Sequence, residues 1–191
     1  MNVAALNRIK DGMILDALNA AWNHDHQGGD PKATPLVAQG TDDDGMLVWL
    51  NDRSVTATDY ARNFLMNYSD PAASVDGKPV SSAGLSQVYT GAAAAQLIGV
   101  DPSDPRVPDV IGLAQYGVVY TSHKAKISEH GGCHLEDRNV PILLVWSGAH
   151  GGTAVTRPVE TTQIAPTILK LLGLNAHELE AVRIEGTPAL F

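Results

Sequence analysis

SEHGG at residues 128–132 and VPILLVW at residues 140–146 are the two stretches of sequence that decide the predicted fold. The second is a short, uninterrupted apolar run, which is typical of a buried strand. The first places His130 in a glycine-bounded loop just ahead of that strand, where a histidine can face a site at the edge of a sheet. His130 is therefore the first candidate ligand in the chain, and a hydrogen-bonded loop histidine is the alternative interpretation.

The composition indicates one ordinary globular core and argues against several classes of function. The chain has 191 residues, 44% of them hydrophobic, which is enough for a single core. Its 13 Lys and Arg against 21 Asp and Glu give a formal net charge of −8, and no basic cluster suggests a nucleic-acid or anionic-membrane surface. No apolar run approaches the ~18 residues of a membrane helix, and no signal-peptide pattern is visible. Localisation is left open. The single cysteine, Cys133, cannot form an internal disulfide, and we expect an inert thiol.

Helical periodicity and turn signals predict most elements of the first 100 residues. Asp11 can cap the first helix, and Thr56 with Asp59 has the spacing of a capping box for the second. Asp44-Gly45 between two apolar runs is a hairpin signal. No strand is expected ahead of the first helix, which suggests that part of an α/β domain is missing there. The predicted elements are a helix at 12–22, strands at 36–38 and 46–50, a helix from 56, a strand at 85–89 and a helix at 91–98 ended by Gly99.

Proline and glycine punctuate the middle of the chain. Residues 69–82 are predicted to be a loop by composition. The run at 101–108 holds three prolines, which forbid both helix and central strand and so predict a linker. Residues 109–121 then return to a sheet, and Gly117 marks a bend between two short strands.

One strong helix follows the predicted strand at 140–146. Pro166 is tolerable only in a first helical turn, so this helix should begin between Thr162 and Ala165 and end at Gly173. Residues 178–191 should form a short helical turn and then an extended segment. The predicted apolar face of the helix consists of Ile164, Ile168, Leu171 and Leu172.

Two polar segments contain side chains that could bind a metal. His24-Asp25-His26 can present nitrogen and oxygen donors, so a small metal-binding module is one reading. An ordinary surface loop after a helix is the favoured one. The acidic run Asp42-Asp43-Asp44 could hold a cation, although side chains in such a turn usually face water. The sequence contains no GxGxxG, GxxxxGK[ST], HExxH, GxSxG or CxxC motif, so those site classes have no support.

The end of the chain resembles a known superfamily. SEHGG, a short polar loop with Asp137, VPILLVWSG and PVETTQIAPTILKLLGL are similar to the C-terminal end of the alkaline phosphatase superfamily. Within it, the closest branch is that of the type I phosphodiesterases and nucleotide pyrophosphatases. The resemblance covers about Lys126 to Leu174, and its motifs specify the superfamily rather than a substrate.

The resemblance implies a fold and an activity. The fold would be the C-terminal part of a three-layer α/β/α domain. Residues 1–24 and 109–191 would belong to this core, and residues 25–108 would form a cap-like α+β insertion. Family hydrolases act on phosphate-ester small molecules with two divalent cations, usually zinc, held by Asp and His side chains, and with a Ser or Thr nucleophile. By position, His130 is the last metal ligand; Glu129 does not correspond to the aspartate of the family's Asp-His pair.

The remaining family ligands are not found in this sequence. No aspartate has a histidine four residues later, and the one Asp-His pair, Asp25-His26, follows a helix rather than a strand. We therefore expect a chain that lacks the nucleophile-bearing half, binds zinc weakly and is inactive alone. A complementing N-terminal part would restore the enzyme; the alternative is a non-catalytic remnant or accessory subunit. His150 is expected to shape a loop rather than bind metal, and His123 and His134 to be solvated.

Overall fold

The computed structural model describes residues 7–42, 44–69, 81–123, 125–149, 152 and 154–191. The chain divides into two compact units, Met1–Asn139 and Val140–Phe191. Neither of the domain boundaries expected from the resemblance coincides with this division, and the cap-like insertion stays a prediction. None of the described helices is long and apolar enough to cross a membrane.

The first unit is a mixed α/β structure, in agreement with the predicted α/β class. Its elements are, in chain order, β1 (Asn7–Ile9), α1 (Asp11–His26), β2 (Val37–Asp42), β3 (Gly45–Leu50), α2 (Val55–Asn67), a 3₁₀ turn (Ser82–Gly84), β4 (Leu85–Thr90), α3 (Gly91–Ile98), β5 (Val110–Ala114), β6 (Val118–Tyr120) and α4 (Leu135–Arg138).

The main sheet has the strand order β2-β3-β5-β4, and every neighbouring pair is antiparallel. The predicted hairpin is confirmed: Asp44, with φ 51°, lies in the turn between β2 and β3. A second, two-stranded sheet pairs β1 with β6 in parallel. The positive φ of Gly117, 82°, supports the predicted break between β5 and β6.

Helices α1 and α2 cover the main sheet and bury its apolar side chains. Leu18 of α1 and Leu65 of α2 are fully buried, as are Val48 of β3 and Val110 of β5. The helical periodicity that predicted both helices is confirmed because their buried residues recur at helical spacing. Helix α3 has the predicted bounds, and Gly99, with φ 70°, ends it in the left-handed conformation that favours glycine.

Three local predictions in the first unit are wrong. A short strand, β1, does precede the first helix, and its three residues carry too little periodicity to be recognised. Helix α1 continues through His26 instead of ending near Trp22. Ser54 caps α2 instead of Thr56, because its extended backbone lets the side-chain oxygen accept a hydrogen bond from the backbone N–H of Ala57 (3.2 Å).

The predicted strand at 140–146 does not form. Its residues have no strand assignment, and the side chains of Leu143 and Val145 are 85% and 84% exposed. A strand needs a neighbour for its backbone N–H and C=O groups, and no described strand pairs with this segment. The predicted burial of this segment is therefore wrong too, because an apolar run does not specify a partner strand.

The second unit contains helices and, within its described residues, no strand. Its elements are a 3₁₀ turn (Thr161–Gln163), α5 (Ile164–Leu171), a second 3₁₀ turn (Ala176–Glu178) and α6 (Glu180–Glu185). The predicted start of α5 and its end before Gly173 (φ 71°) are confirmed. The predicted apolar face is wrong: Ile168 and Leu172 are 46% and 66% exposed, whereas Gln163, Pro166 and Thr167 are buried.

Candidate functional site

The loop that carries His130 is tethered to the first unit while the histidine itself remains exposed. Arg8 Nε donates a hydrogen bond to the carbonyl of Lys126 (2.6 Å), which fixes the beginning of the loop beside β1. Glu129 is nearly buried and forms an ion pair with Lys126. Gly131 has φ 82°, a backbone conformation that lets the chain turn directly after His130. No described residue makes a hydrogen bond to the His130 imidazole, so its nitrogens are accessible to a ligand.

Gly132 lies between two carboxyl groups. A Cβ atom at this position would come within 1.9 Å of Asp44 Oδ2 and 2.6 Å of Asp137 Oδ2, so a side chain here would displace both carboxyl groups. Partial burial, and then the charge of Asp137, raise the pKa of Asp44, and Glu129 acts in the same direction. The two carboxyl groups lie where the turn of the β2–β3 hairpin meets α4.

His134 holds the same loop against the sheet. Its Nε2 lies 2.7 Å from the carbonyl oxygen of Ala114, the last residue of β5, and the side chain is partly buried. The prediction that His134 is solvated is therefore wrong, because the loop folds back onto the end of β5. His123 is exposed, as predicted.

The described residues do not form a two-zinc site. Among them, no three or more His, Cys, Asp or Glu side chains converge in a way that could hold a metal ion. His130 is an isolated donor, and a protein zinc site needs three or four. The predicted role of His130 as a metal ligand therefore requires donors from outside the described residues and stays a prediction.

His24, Asp25 and His26 lie on α1 and use their side chains for local contacts. His24 Nδ1 is 2.8 Å from Asp25 Oδ1, and the Tyr60 hydroxyl donates to Asp25 Oδ2 (2.7 Å). His26 instead stacks on Trp22, with ring centroids 3.8 Å apart. The hydrogen bond from His24, and then that from Tyr60, lower the pKa of Asp25, and burial raises the pKa of Tyr60 to about 12.

These contacts disfavour the small metal-binding module. Asp25 is held by His24 and Tyr60 while His26 stacks on Trp22, so the three side chains do not converge on one point. The favoured alternative, a loop, is also corrected because the segment is helical.

Two of the other candidate residues lie outside the described part of the chain, and two lie within it. Asp42 ends β2, and partial burial raises its pKa. Asp43 and His150 lie outside the described residues, so their predicted roles stay predictions. Cys133 is partly buried and forms no disulfide.

One cavity in the first unit was missed by sequence reasoning. It has a volume of about 420 Å³ and lies between β4, α3, β5 and the segment that ends in α4. Cys133, His134 and Arg138 line one side, and Gln87 and Tyr89, whose hydroxyl donates to Gln87 Oε1 (2.6 Å), line another. No motif marks these residues in the sequence because four separate elements bring them together.

Comparisons of this chain with protein-family models, with curated proteins and with solved structures find no match. The interpretation of the site therefore rests on the sequence pattern and the geometry described above.

Proposed function

We propose that this chain is the C-terminal portion of a metal-dependent phosphoric-ester hydrolase of the phosphodiesterase/nucleotide pyrophosphatase type. The observation that carries the proposal is the loop of His130, an exposed imidazole bounded by Gly131 and without a hydrogen bond to any described residue. In the complete enzyme, His130 supplies one ligand to a site with two zinc ions. The substrate class is a phosphate-ester small molecule.

Two features of the fold support the resemblance, although neither concerns catalytic activity. Helix α5 begins and ends where the family-like IAPTILKLLGL segment predicts, with Pro166 in its first turn and Gly173 after its end. The His130 loop is anchored by Arg8 and by His134, which keeps the histidine at a defined place. The segment at 140–146 lacks the strand pairing that the family fold implies, which is expected if the neighbouring strand belongs to the complementing part.

The proposal assigns no catalytic residue to this chain. A single imidazole does not bind zinc tightly, because the free energy of metal binding accumulates over several ligands. The nucleophile and the other ligands belong to the complementing N-terminal part, so the chain alone is predicted to be inactive.

The first test is zinc binding and hydrolysis by the purified chain. Zinc titration followed by the imidazole NMR signals should shift His130 at lower zinc concentrations than His123, an exposed histidine on the same segment that serves as the matched control. With bis(p-nitrophenyl) phosphate and excess zinc, we expect no turnover above that of zinc alone. If turnover occurs and His130→Ala abolishes it while His123→Ala does not, the chain is active alone and the proposal of an incomplete site is wrong.

The second test is complementation. The DNA upstream of the Met1 codon should encode a Ser or Thr nucleophile and an aspartate followed four residues later by a histidine. Co-expression of that segment should give zinc-dependent phosphodiesterase activity that is lost in His130→Ala and retained in His123→Ala. Activity that is insensitive to His130→Ala would remove this residue from the metal site.

A non-catalytic remnant or accessory subunit is the second candidate. It is favoured by the lack of any metal-binding group among the described residues. Co-expression that gives a stable complex without activity would support an accessory role, and the absence of any complementing reading frame would support a remnant.

A further inference from the structure

The cavity in the first unit lies on the face of the main sheet opposite α1 and α2. Val110 and Ala114 of β5 belong to the large apolar cluster under those helices, whereas Ile111 and Leu113 pack with Ala94 of α3 in a second cluster. Successive side chains of a strand point to opposite faces, so the second cluster is a smaller apolar layer behind the sheet. The cavity occupies the part of this layer between α3 and the segment at 133–138.

Strands β4 and β5 form the floor of the cavity. Gln87 of β4 is the register partner of Leu113 of β5, so an amide and an apolar side chain lie side by side on the same face. Leu97 of α3 and Leu135 of α4 add apolar walls. Leu135 is 72% exposed, so a ligand in the cavity would remove apolar surface from water.

The cavity also contains hydrogen-bond donors that no described residue uses. The Tyr89 hydroxyl donates to Gln87 Oε1, which orients the amide and leaves its Nε2 without a described partner. The Arg138 guanidinium likewise makes no ion pair or hydrogen bond to the part of the chain that the structure describes. Ser86 differs, because its hydroxyl is 3.2 Å from the carbonyl oxygens of both Leu113 and Ala114.

The charge of the cavity is opposite to that of the chain. The formal net charge of the chain is −8, yet the described residues that line the cavity include Arg138 and neither an aspartate nor a glutamate. A guanidinium presents its N–H groups as a planar fork that matches a carboxylate or a phosphate. The amide N–H groups of Gln87 can donate to the same acceptor oxygens. These groups favour an anion over a neutral or cationic ligand.

We propose that this cavity binds a small organic anion with an apolar body. The charged group contacts Arg138 and Gln87 Nε2, and the apolar body packs on Leu97, Leu113 and Leu135. The volume of about 420 Å³ lies within the roughly 300–1,000 Å³ of small-molecule sites, and apolar walls with a few polar groups are typical of them. All of these residues belong to the first unit, so the site is independent of the proposed metal site.

NMR titration of the ¹⁵N-labelled full chain tests the ligand class. The probes 2-naphthoate and 2-naphthyl phosphate carry a carboxylate and a phosphate on the same ring system, and the tighter of the two identifies the charged group. The neutral 2-naphthamide should bind at least tenfold more weakly than the tighter anion, because it cannot form a charge-assisted bond to Arg138. Acetate and inorganic phosphate, which lack the ring, should also bind at least tenfold more weakly.

Two variants place the anion in the cavity. Arg138→Gln removes the positive charge and should weaken binding of the tighter anion about tenfold. Its matched control is Arg106→Gln, which removes the same charge from an exposed arginine paired with Asp104, away from the cavity lining. The affinity for 2-naphthamide should stay unchanged in both variants.

The second variant reverses the preference of the cavity. Gln87→Glu keeps the size of the side chain and the acceptor for the Tyr89 hydroxyl, but it places a carboxylate against the anion. Binding of the tighter anion should weaken more than tenfold, since like charges repel and the amide donor is lost. Gln96→Glu is the matched control, because Gln96 is exposed on α3 and does not line the cavity.

Cys133 gives a second measure of occupancy. It is the single cysteine of the chain and lines the cavity, so alkylation by iodoacetamide reports on access to this space. A saturating concentration of the tighter anion should slow alkylation several-fold in the parent. The same concentration should give little protection in Gln87→Glu and full protection in Gln96→Glu.

Three results would overturn the proposal. The first is that neither naphthyl anion binds at concentrations up to about 10 mM, far above the Kd expected for ligands of this size. The second is that 2-naphthamide binds as tightly as 2-naphthoate and 2-naphthyl phosphate, which would make the cavity a merely apolar site. The third is anion binding that is unchanged in both Arg138→Gln and Gln87→Glu, which would place the anion elsewhere on the chain.

Discussion

In the first unit, Leu18 and Leu65 are fully buried between helices and sheet, whereas in the second unit Leu143 and Val145 are 85% and 84% exposed. The first unit has a large apolar cluster with contributions from both helices and from the main sheet. In the second unit the fully buried side chains include Thr167, a polar residue whose hydroxyl accepts a hydrogen bond from the backbone N–H of Leu190. The two units therefore depend on different interactions.

This difference in interactions predicts that the two units have different free energies of unfolding. Burial of apolar surface contributes about 25 cal/mol per Å², so a leucine with no exposed surface contributes on the order of 2 kcal/mol. A neutral hydrogen bond that replaces bonds to water contributes only about 1 kcal/mol. A unit held mainly by a few side chain–backbone hydrogen bonds should therefore unfold more readily than one held by an apolar cluster.

The largest expected effect is that of a cavity in the first unit. Leu65→Ala removes a fully buried side chain from α2 and should lower the free energy of unfolding of the first unit by about 2–5 kcal/mol. The matched substitution in the second unit, Leu143→Ala, removes a mostly exposed side chain and should change stability by less than about 0.5 kcal/mol. Urea denaturation followed by circular dichroism measures both. Equal losses in the two variants would mean that residues 140–146 are buried in solution.

An intermediate effect is expected in the second unit from Thr167→Val. Valine has nearly the shape of threonine, but it leaves the Leu190 N–H and the Gln163 carbonyl without their partner, at a cost of about 1–3 kcal/mol. The loss should appear in the thermal transition of the second unit. Trp146 stacks on Phe191, so tryptophan fluorescence can report release of residues 187–191 from α5.

The conservative variant checks the cause of this loss. Thr167→Ser keeps the hydroxyl and should recover most of the stability that Thr167→Val loses. Equal destabilisation by both variants would mean that packing of the Thr167 methyl group, and not the hydrogen bond to Leu190, stabilises the second unit.

Local signals were sufficient for much of the first unit. Asp44-Gly45 predicted the hairpin, and Gly99 predicted the end of α3, because a turn or a helix end depends on the conformational preferences of a few adjacent residues. The apolar faces of α1 and α2 were also predictable from their periodicity. The strand order β2-β3-β5-β4 was not, because strand pairing depends on residues that are far apart in the sequence.

The second unit shows the limit of the same reasoning. The apolar runs at 140–146 and in α5 predicted burial, but neither run states which surface would cover it. Burial of Thr167 could not be predicted because its partner, the Leu190 N–H, lies 23 residues away. For the candidate site, the sequence singled out His130 but did not indicate that His134 contacts the carbonyl of Ala114 or that Asp44 and Asp137 meet beside Gly132.

The smallest expected effect is a pH-dependent change in the stability of the first unit, and it arises at the contact between Asp44 and Asp137. Partial burial and the charge of Asp137 raise the pKa of Asp44 in the folded state above its ordinary value of 3.8, whereas a neighbouring His134 opposes this shift. A raised folded-state pKa means that stability is fully present below pH 3.8 and decreases as the pH rises through the folded-state value.

Asp44→Asn removes the ionisable group and should make the first unit more stable than the parent at neutral pH, by about a few tenths of a kcal/mol after solvent screening. Asparagine also tolerates the positive φ of this position, 51°. The difference should disappear below pH 3.8, where the parent carboxyl is protonated in both states. Urea midpoints measured across this pH range test the sign of the stability difference.

Asp104→Asn is the matched control, for which the opposite sign is expected. Arg106 lowers the pKa of Asp104 to about 2, so this variant should be less stable than the parent at neutral pH. If both variants shift stability in the same direction, the repulsion between Asp44 and Asp137 is not the cause.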